Sequence, residues 1–490
     1  MRTASVNQTY RPVLDSAFNQ LELIARKETD VAGAVDRAIV LDGLRELRQR
    51  LRRRVRLDDF ECLAHDEWMD EGILKDYAPD YSVYEDLYKH FHANAELPWQ
   101  EQQTAAKVAQ TLRSLSPDLE ITTGIGGHGL IAILRNGDGP TVLLRADMDG
   151  LPVKELTGLD YACHNTMPDA DGTIQPVMHA CGHDMHITAL LAAADVLVRS
   201  RPEWSGTIVL LFQPAEEKST GAKAMVDAGL FTSLGCPVPD VILGQHVFPA
   251  KAGTLSTCAG PIMAGTAGLL VTVYGRGGHG SSPHLTVDPV VLASHIVVRL
   301  QTIVSRETPP DDVAVVTVGA ISAGSAENII SDEATLRINT RSLRPERRAA
   351  ILEAIERIVR AECVASGCTR EPSITPTVST LPMDNDTKVA ARVGRAFQSH
   401  FGDAFDPDMR PVPASEDFNQ LAIAVERPYL FWFFGGHDPE DYERREREGT
   451  LAGIPSNHSP FFAPVLSLTL KTGTEAMVVA ALSYVATDTE

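Results

Sequence analysis

The chain has 490 residues, 44% hydrophobic and 22% charged, a globular mixture with length for about two to four domains. Its 44 basic and 65 acidic residues leave a net charge of −21, which excludes a general binder of nucleic acid or anionic membrane, because both need a basic surface. No apolar run reaches the roughly 18 residues of a membrane span, the N-terminal residues lack the apolar core of a secretory signal, and seven scattered cysteines read as reduced thiols of a cytoplasmic protein.

Residues 1–78 carry helical patterns and few strand signals. The basic run Arg45–Arg56 is followed at once by Asp58, Asp59, Glu61, Asp66, Glu67, Asp70 and Glu71. Opposite charges compensate, so the segment reads as a solvated helical extension rather than a nucleic-acid arm. From 79 the pattern turns α/β. Short apolar runs at Leu130–Leu134, Thr141–Leu144, Thr207–Phe212 and Asp240–Leu243 predict buried strands, and Gly137–Pro140 marks a turn between the first two. His183–Arg199 and Pro464–Val485 predict helices. The alternation implies a sheet covered on both faces.

A second unit is expected over 265–378, inserted between the catalytic parts 79–264 and 379–490. Its predicted strands are Leu269–Tyr274, Val313–Ala320, Glu333–Arg341 and Arg370–Thr375; its helices are Asp288–Arg306 and Pro345–Ala365. The third strand alternates, with Ala334, Leu336 and Ile338 on one side and Thr335, Arg337 and Asn339 on the other, which fits a sheet with one wet face. The order strand-helix-strand-strand-helix-strand is ferredoxin-like.

Chemistry-bearing residues gather at five stations: Asp147 and Asp149 after a strand; Cys181 and His183 before a helix; Glu216 and Glu217 after a strand; His246 at a strand end; His458 before the last helix. The carboxyl ends of strands are where sites converge in open α/β sheets. Imidazole, thiolate and carboxylate together suit zinc or another divalent first-row ion. Each station alone is weak: a lone histidine is more often packed than ligating, Asp-x-Asp is often a turn, and a Glu pair usually starts a solvated helix. Their joint placement at element ends is hard to assign to coincidence. Nucleophilic catalysis by Cys181 is a rival that leaves the Glu pair idle. A closed structural zinc site is another, but it takes only four ligands. The surplus fits an open site for one or two ions with a separate general base.

The strings LLRADMDGLPVKE, PVMHACGHDMH, LLFQPAEE, GQHVFPAKAGTL, GRGGHGSSPH and SNHSPFF, in this order, resemble the zinc-dependent amidohydrolases of the aminoacylase and carboxypeptidase type (peptidase family twenty, subfamily D), in the branch of hippurate hydrolase and indole-acetyl-amino-acid hydrolase. The resemblance covers about residues 84–486 and leaves the N-terminal extension unmatched. It implies a metallopeptidase-type α/β catalytic domain with a mixed central sheet, plus an inserted ferredoxin-like α+β lid and dimerisation domain. It further implies Cys181, His183, Glu217, His246 and His458 as metal ligands and Glu216 as the general base. Asp149 would support a ligand or the base. His279 and Asn328 would bind substrate, His279 often reaching the site from a partner subunit. The implied cofactor is one or two divalent ions, Zn or Mn first and Co or Ni as alternates. The implied activity is hydrolysis of N-acyl amino acids or related small amides by a homodimer or homotetramer. The alternatives are a dipeptidase or aminopeptidase on the same scaffold, or a catalytically silent binding relative.

Overall fold

The computed structural model describes residues 72–486. The helical extension expected over 1–78, with its basic run, lies outside the described residues except for its end, where Ile73 and Leu74 already pack into the main core. In chain order the principal elements are α1 (Tyr81–Ala93), α2 (Gln102–Leu115), β1 (Glu120–Ile125), β2 (Gly129–Asn136), β3 (Thr141–Asp147), α3 (His183–Arg199), β4 (Gly206–Gln213), β5 (Val241–Lys251) and β6 (Leu255–Ser256). There follow β7 (Gly265–Tyr274), α4 (Pro289–Arg306), β8 (Ala314–Ala323), β9 (Glu333–Ser342), α5 (Pro345–Ala365) and β10 (Ser373–Ser379). The chain returns with α6 (Thr387–Phe401), β11 (Phe405–Asp406), β12 (Tyr429–His437) and α7 (Leu466–Val485).

The central sheet runs β1-β2-β4-β3-β5-β12-β6-β11. β4, β3, β5 and β12 are mutually parallel, and antiparallel pairs at β1/β2, β2/β4 and β12/β6 make the sheet mixed. Because side chains alternate along a strand, its two faces seed two cores. Leu130, Ala132, Val142, Leu144, Leu210 and Trp432 face α1, α2, α3, α6 and α7. Ile131, Ile133, Leu143, Leu211 and Phe431 face the short helices around Met225 and Leu421. α3 is buried almost throughout, from His183 to Leu197. Its Ala- and Leu-rich composition follows from that, since a helix covered on all sides has no polar face.

The elements from β7 to β10 form a second, four-stranded sheet of order β8-β9-β7-β10, antiparallel at every pairing. α4 and α5 cover one face with their own core, in which Leu292, Ile296, Ile351, Ile355, Ile358 and Val359 meet Ala334, Leu336 and Ile338. Asp288 caps α4 by accepting from the Val290 and Val291 N–H groups, and Pro289 and Pro345 open the two helices.

Three expectations shift. β5 runs on to Lys251, so His246 sits inside a strand and not at its end. The cause is β12, absent from the sequence reading, which pairs with β5 beyond the reach of β3 and sets Phe433 opposite His246. β10 starts at Ser373, later than the expected start near Arg370, because its pairing with β7 begins only at Ser373, opposite Thr272. Among the described residues no helix is long and apolar enough to cross a membrane.

Candidate metal centre

The site is assembled where β3, β4 and β5 meet the start of α3 and the loop before α7. Gly182 makes the entry to α3: it has φ +84°, and a Cβ there would lie 2.4 Å from Val247 Cγ1 on β5. That close approach brings Cys181 against β5, with its Sγ 3.4 Å from His246 Nε2. Beyond β4 the chain turns sharply through Ala215 at φ +49°, presenting Glu216 and Glu217. Two anchors hold this turn. The Glu216 and Glu217 N–H groups donate to Asp149 at 3.1 and 3.0 Å. Glu101 Oε1 accepts from the Ala215 N–H at 2.8 Å. His458, at φ +70°, is pinned by its own N–H on the Ala180 carbonyl at 2.7 Å and by Asn457, which donates to the Cys181 and Val247 carbonyls.

Ligand-type atoms converge as a result. Those of Cys181, His183 and His246 lie within 4.8 Å of one another, as do those of Cys181, Glu217 and His458, and of His183, Glu216 and Glu217. The overlapping sets offer room for one ion or an adjacent pair. Neither ring nitrogen of buried His183 has a hydrogen-bond partner, and Glu217 Oε1 has only the long approach of His458 Nε2 at 3.4 Å. Buried polar atoms left unsatisfied are costly, and a cation beside Glu217 would take the His183 Nε2 lone pair, leaving Nδ1, 3.4 Å from Asp149, to carry the proton. His246 Nδ1 donates to the Val247 carbonyl at 2.7 Å, which leaves the Nε2 lone pair free to ligate. The donor set therefore fits a divalent ion.

His186 is close but spoken for. Its Nε2 accepts the Val247 N–H at 2.8 Å, so the ring proton is on Nδ1 and donates to Asp147 at 2.6 Å. Asp147 also takes a 2.6 Å bond from Arg145, which is fully buried and paired with Glu416 at 2.8 Å. This buried cation, unremarked in the sequence, fixes the floor of the site; the signal was an arginine inside a buried strand.

The local charges oppose a cysteine nucleophile. Burial, Glu217 and Glu216 push the Cys181 thiol well above its usual range, whereas a reactive thiolate needs a cationic neighbour. Burial holds His246 well below the normal imidazole range. Burial, together with the charges of Glu416 and Glu217, raises Glu216 well above an ordinary carboxylate. Glu217 moves the other way: burial opposes its charge, but bonding to His458 and the field of His183 outweigh it.

A cavity of about 330 Å³ opens over this cluster. Phe248, Met263 and Phe433 form an apolar wall, and Thr266, Asn339, Arg341 and Val378 come from the second sheet. Arg341 is held by bonds to Asn339 Oδ1 at 3.2 Å and Ser415 Oγ at 2.8 Å. Neither His279 nor Asn328 lines this cavity. Both are exposed, side by side, where the Gly280 N–H donates to the Asn328 carbonyl at 2.8 Å.

Comparison with known proteins agrees with the geometry. The family model described as Peptidase family M20/M25/M40 matches residues 143–448. A hippurate hydrolase of Campylobacter jejuni is 38% identical over 353 residues, 71% of this chain and 87% of that protein. The thermostable carboxypeptidase 2 of Saccharolobus solfataricus is 33% identical over 401 residues, 81% of this chain and 94% of that protein. Among solved structures, the Bacillus subtilis YXEP protein, described as a dinuclear metal binding peptidase from the M20 family, superposes with a TM-score of 0.65 at 25% identity, covering 82% of this chain and 98% of that one.

Proposed function

The chain belongs to Peptidase family M20/M25/M40 and is a metal-dependent amidohydrolase, and from that premise we propose that it cleaves N-acyl amino acids with a free carboxylate. The observation that carries this reading is the cavity itself, which Cys181, Glu216, Glu217, His246 and His458 line together with Arg341, the cationic side chain on its wall. A fixed guanidinium suits a carboxylate, and the apolar wall of Phe248, Met263 and Phe433 suits an acyl group. The two named relatives are a hippurate hydrolase and a carboxypeptidase, whose names denote amides that carry a carboxylate.

In this reading Cys181, His183, Glu217, His246 and His458 hold the divalent ion or ions, with Zn or Mn as the native metal. When bound, such an ion supplies Lewis acidity, polarising a carbonyl and acidifying water. Glu216 accepts the proton of the attacking water at its carboxylate and delivers it to the leaving amine nitrogen. The two main-chain bonds to Asp149 fix the turn that presents Glu216 and Glu217 side by side over His183, one to serve as base and one as ligand. Arg341 orients the substrate by its carboxylate, with Asn339 bracing the guanidinium. His279 and Asn328 act from a second copy, and residues 265–378 serve as lid and assembly surface.

Two measurements test this. Dialysis against a chelator should abolish amine release from a panel of acylated amino acids, and Zn²⁺ or Mn²⁺ should restore it. Full activity in a metal-free preparation would sink the reading. So would equal kcat/KM for an acyl amino acid and its carboxamide.

A further inference from the structure

Cys363 and Cys368 lie apart from the metal centre, at the C-terminus of α5. The helix ends in a Schellman turn. The Ser366 N–H donates to the Glu362 carbonyl at 2.9 Å, Gly367 to Val364 at 3.1 Å, and Cys368 to Cys363 at 3.0 Å. Gly367 takes φ +77°, the left-handed value this turn requires. In such a turn the side chain of the last full helical turn packs on the residue two past the cap. Here both are cysteines. Cys363 is buried in the core of the second sheet, Cys368 packs half-buried on the same cluster, and each thiol lies within the other's field.

We propose that Cys363 and Cys368 form a modification site, a dithiol that closes to an intramolecular disulfide when it meets a peroxide. The 3.0 Å bond from the Cys368 N–H to the Cys363 carbonyl draws the two residues together across the turn, and closeness of that kind is what a disulfide, with Cα atoms about 4.4–6.8 Å apart, requires. The order of events follows from exposure. Burial and the neighbouring thiol push Cys363 up to about 12, so it waits protonated while the more open Cys368 meets the oxidant. The Cys368 sulfur attacks the peroxide, the O–O bond breaks, and a sulfenic acid and one water form. The Cys363 sulfur then attacks the Cys368 sulfur; the S–S bond forms, the S–O bond breaks, and the hydroxide leaves with the Cys363 proton as a second water. Two thiols and one hydrogen peroxide give one disulfide and two waters. The new bond staples the turn that leads into β10, the strand whose Val378 forms part of the cavity wall. This site is independent of what the metal centre hydrolyses.

The test is a peptide map of the full chain. Arg360 and Arg370 bracket both cysteines, so trypsin releases Ala361–Arg370 carrying this pair and no other thiol. The protein is treated with hydrogen peroxide until glutathione in a parallel tube is oxidised, quenched in acid, denatured, and alkylated with iodoacetamide. The expected peptide is unalkylated and two hydrogens lighter than the thiol form, and dithiothreitol restores two alkylation sites. Cys368→Ser, at the more open position, should leave Cys363 fully alkylated after the same treatment. Recovery of the wild-type peptide with both cysteines alkylated would overturn the proposal. So would Cys368 over-oxidised or bridged to another chain while Cys363 stays alkylated.

Discussion

With Glu216 as the proposed base, its replacement by Gln removes a proton acceptor and little else, because the turn that carries it is held through main-chain N–H groups on Asp149 and Glu101 and not through its own carboxylate. Turnover should therefore fall by about 10²–10⁴-fold with metal content unchanged, measured by initial rates and elemental analysis on one preparation. A variant that keeps a substantial part of the wild-type rate would require another base. Arg341→Ala should act differently. In the proposed pose it removes a charged hydrogen bond to the substrate, about 1.5–3 kcal/mol, so kcat/KM should drop roughly ten- to a hundredfold on acyl amino acids and scarcely at all on their carboxamides. The two arginines mark where sequence reading stops. Cys181, His183, Glu216, Glu217, His246 and His458 stand in motifs whose donor chemistry is visible without a fold. Arg341 continues the wet side of β9, where Arg337 and Asn339 read as solvated; only the docking of the second sheet turns the end of that face into a cavity wall. Arg145 read as part of a motif, and nothing in the string tells that Asp147 and Glu416 enclose it.

α1 and α3 are welded by a buried ion triad. His92 on α1 donates from Nδ1 to Asp184 at 2.7 Å and from Nε2 to Glu155 at 3.0 Å. Asp184 is the residue after His183, so the weld sits behind the end of α3 that carries this candidate ligand. Burial works against a charged His92, but the bonds to Asp184 and Glu155 prevail and raise it to about 9. An unfolded histidine titrates near pH 6.5. Below about pH 6.5 the ring is charged in both states and the triad contributes in full; as pH rises through about 9 the folded state must release a proton and the contribution is lost. The stability gap between wild type and His92→Gln should thus shrink by roughly 2–4 kcal/mol between pH 6.5 and 9.5 in denaturant titrations. A gap that stays constant would mean that His92 is neutral in the fold. Element-level legibility follows the same logic of local against long-range cause. The helices His183–Arg199 and Pro345–Ala365 have the predicted bounds because their signals are local: an unbroken Ala- and Leu-rich run in the first, and in the second Pro345 at the start and an apolar face of Ile351, Ile355, Ile358 and Val359. β12 carries a local signal that the sequence analysis did not use, the aromatic run Tyr429–Phe434, and its place beside β5 is what the fold adds. The same pairing carried β5 past Leu243 and moved His246 into its interior.

At the scale of the whole molecule, the second sheet has an open flank. β8 is its edge strand, with Val315 and Ile321 exposed, and α4 turns Val291 and Val298 to solvent, the latter 71% exposed. An edge strand with apolar neighbours invites pairing with another chain, and two-fold symmetry is the commonest way to close such a contact. The same unit carries His279 and Asn328, which in one chain lie outside the cavity. A dimer built on β8 and α4 would let one copy's His279 serve the other copy's substrate. Mixing two inactive variants separates this from action within one chain. Glu216→Gln lacks the base and His279→Ala lacks the histidine. In a mixed dimer, the site on the His279→Ala chain keeps Glu216 and can borrow His279 from its partner. Equal mixing with exchange of subunits should then restore about a quarter of the wild-type sites, since half the dimers are mixed and each holds one complete site. Within a single chain no mixture can restore anything, because every site lacks one group or the other. Light scattering on the same samples fixes the assembly state. A fully active wild-type monomer, or a mixed dimer with no recovered rate, would return His279 to the surface role its exposure in the single chain suggests.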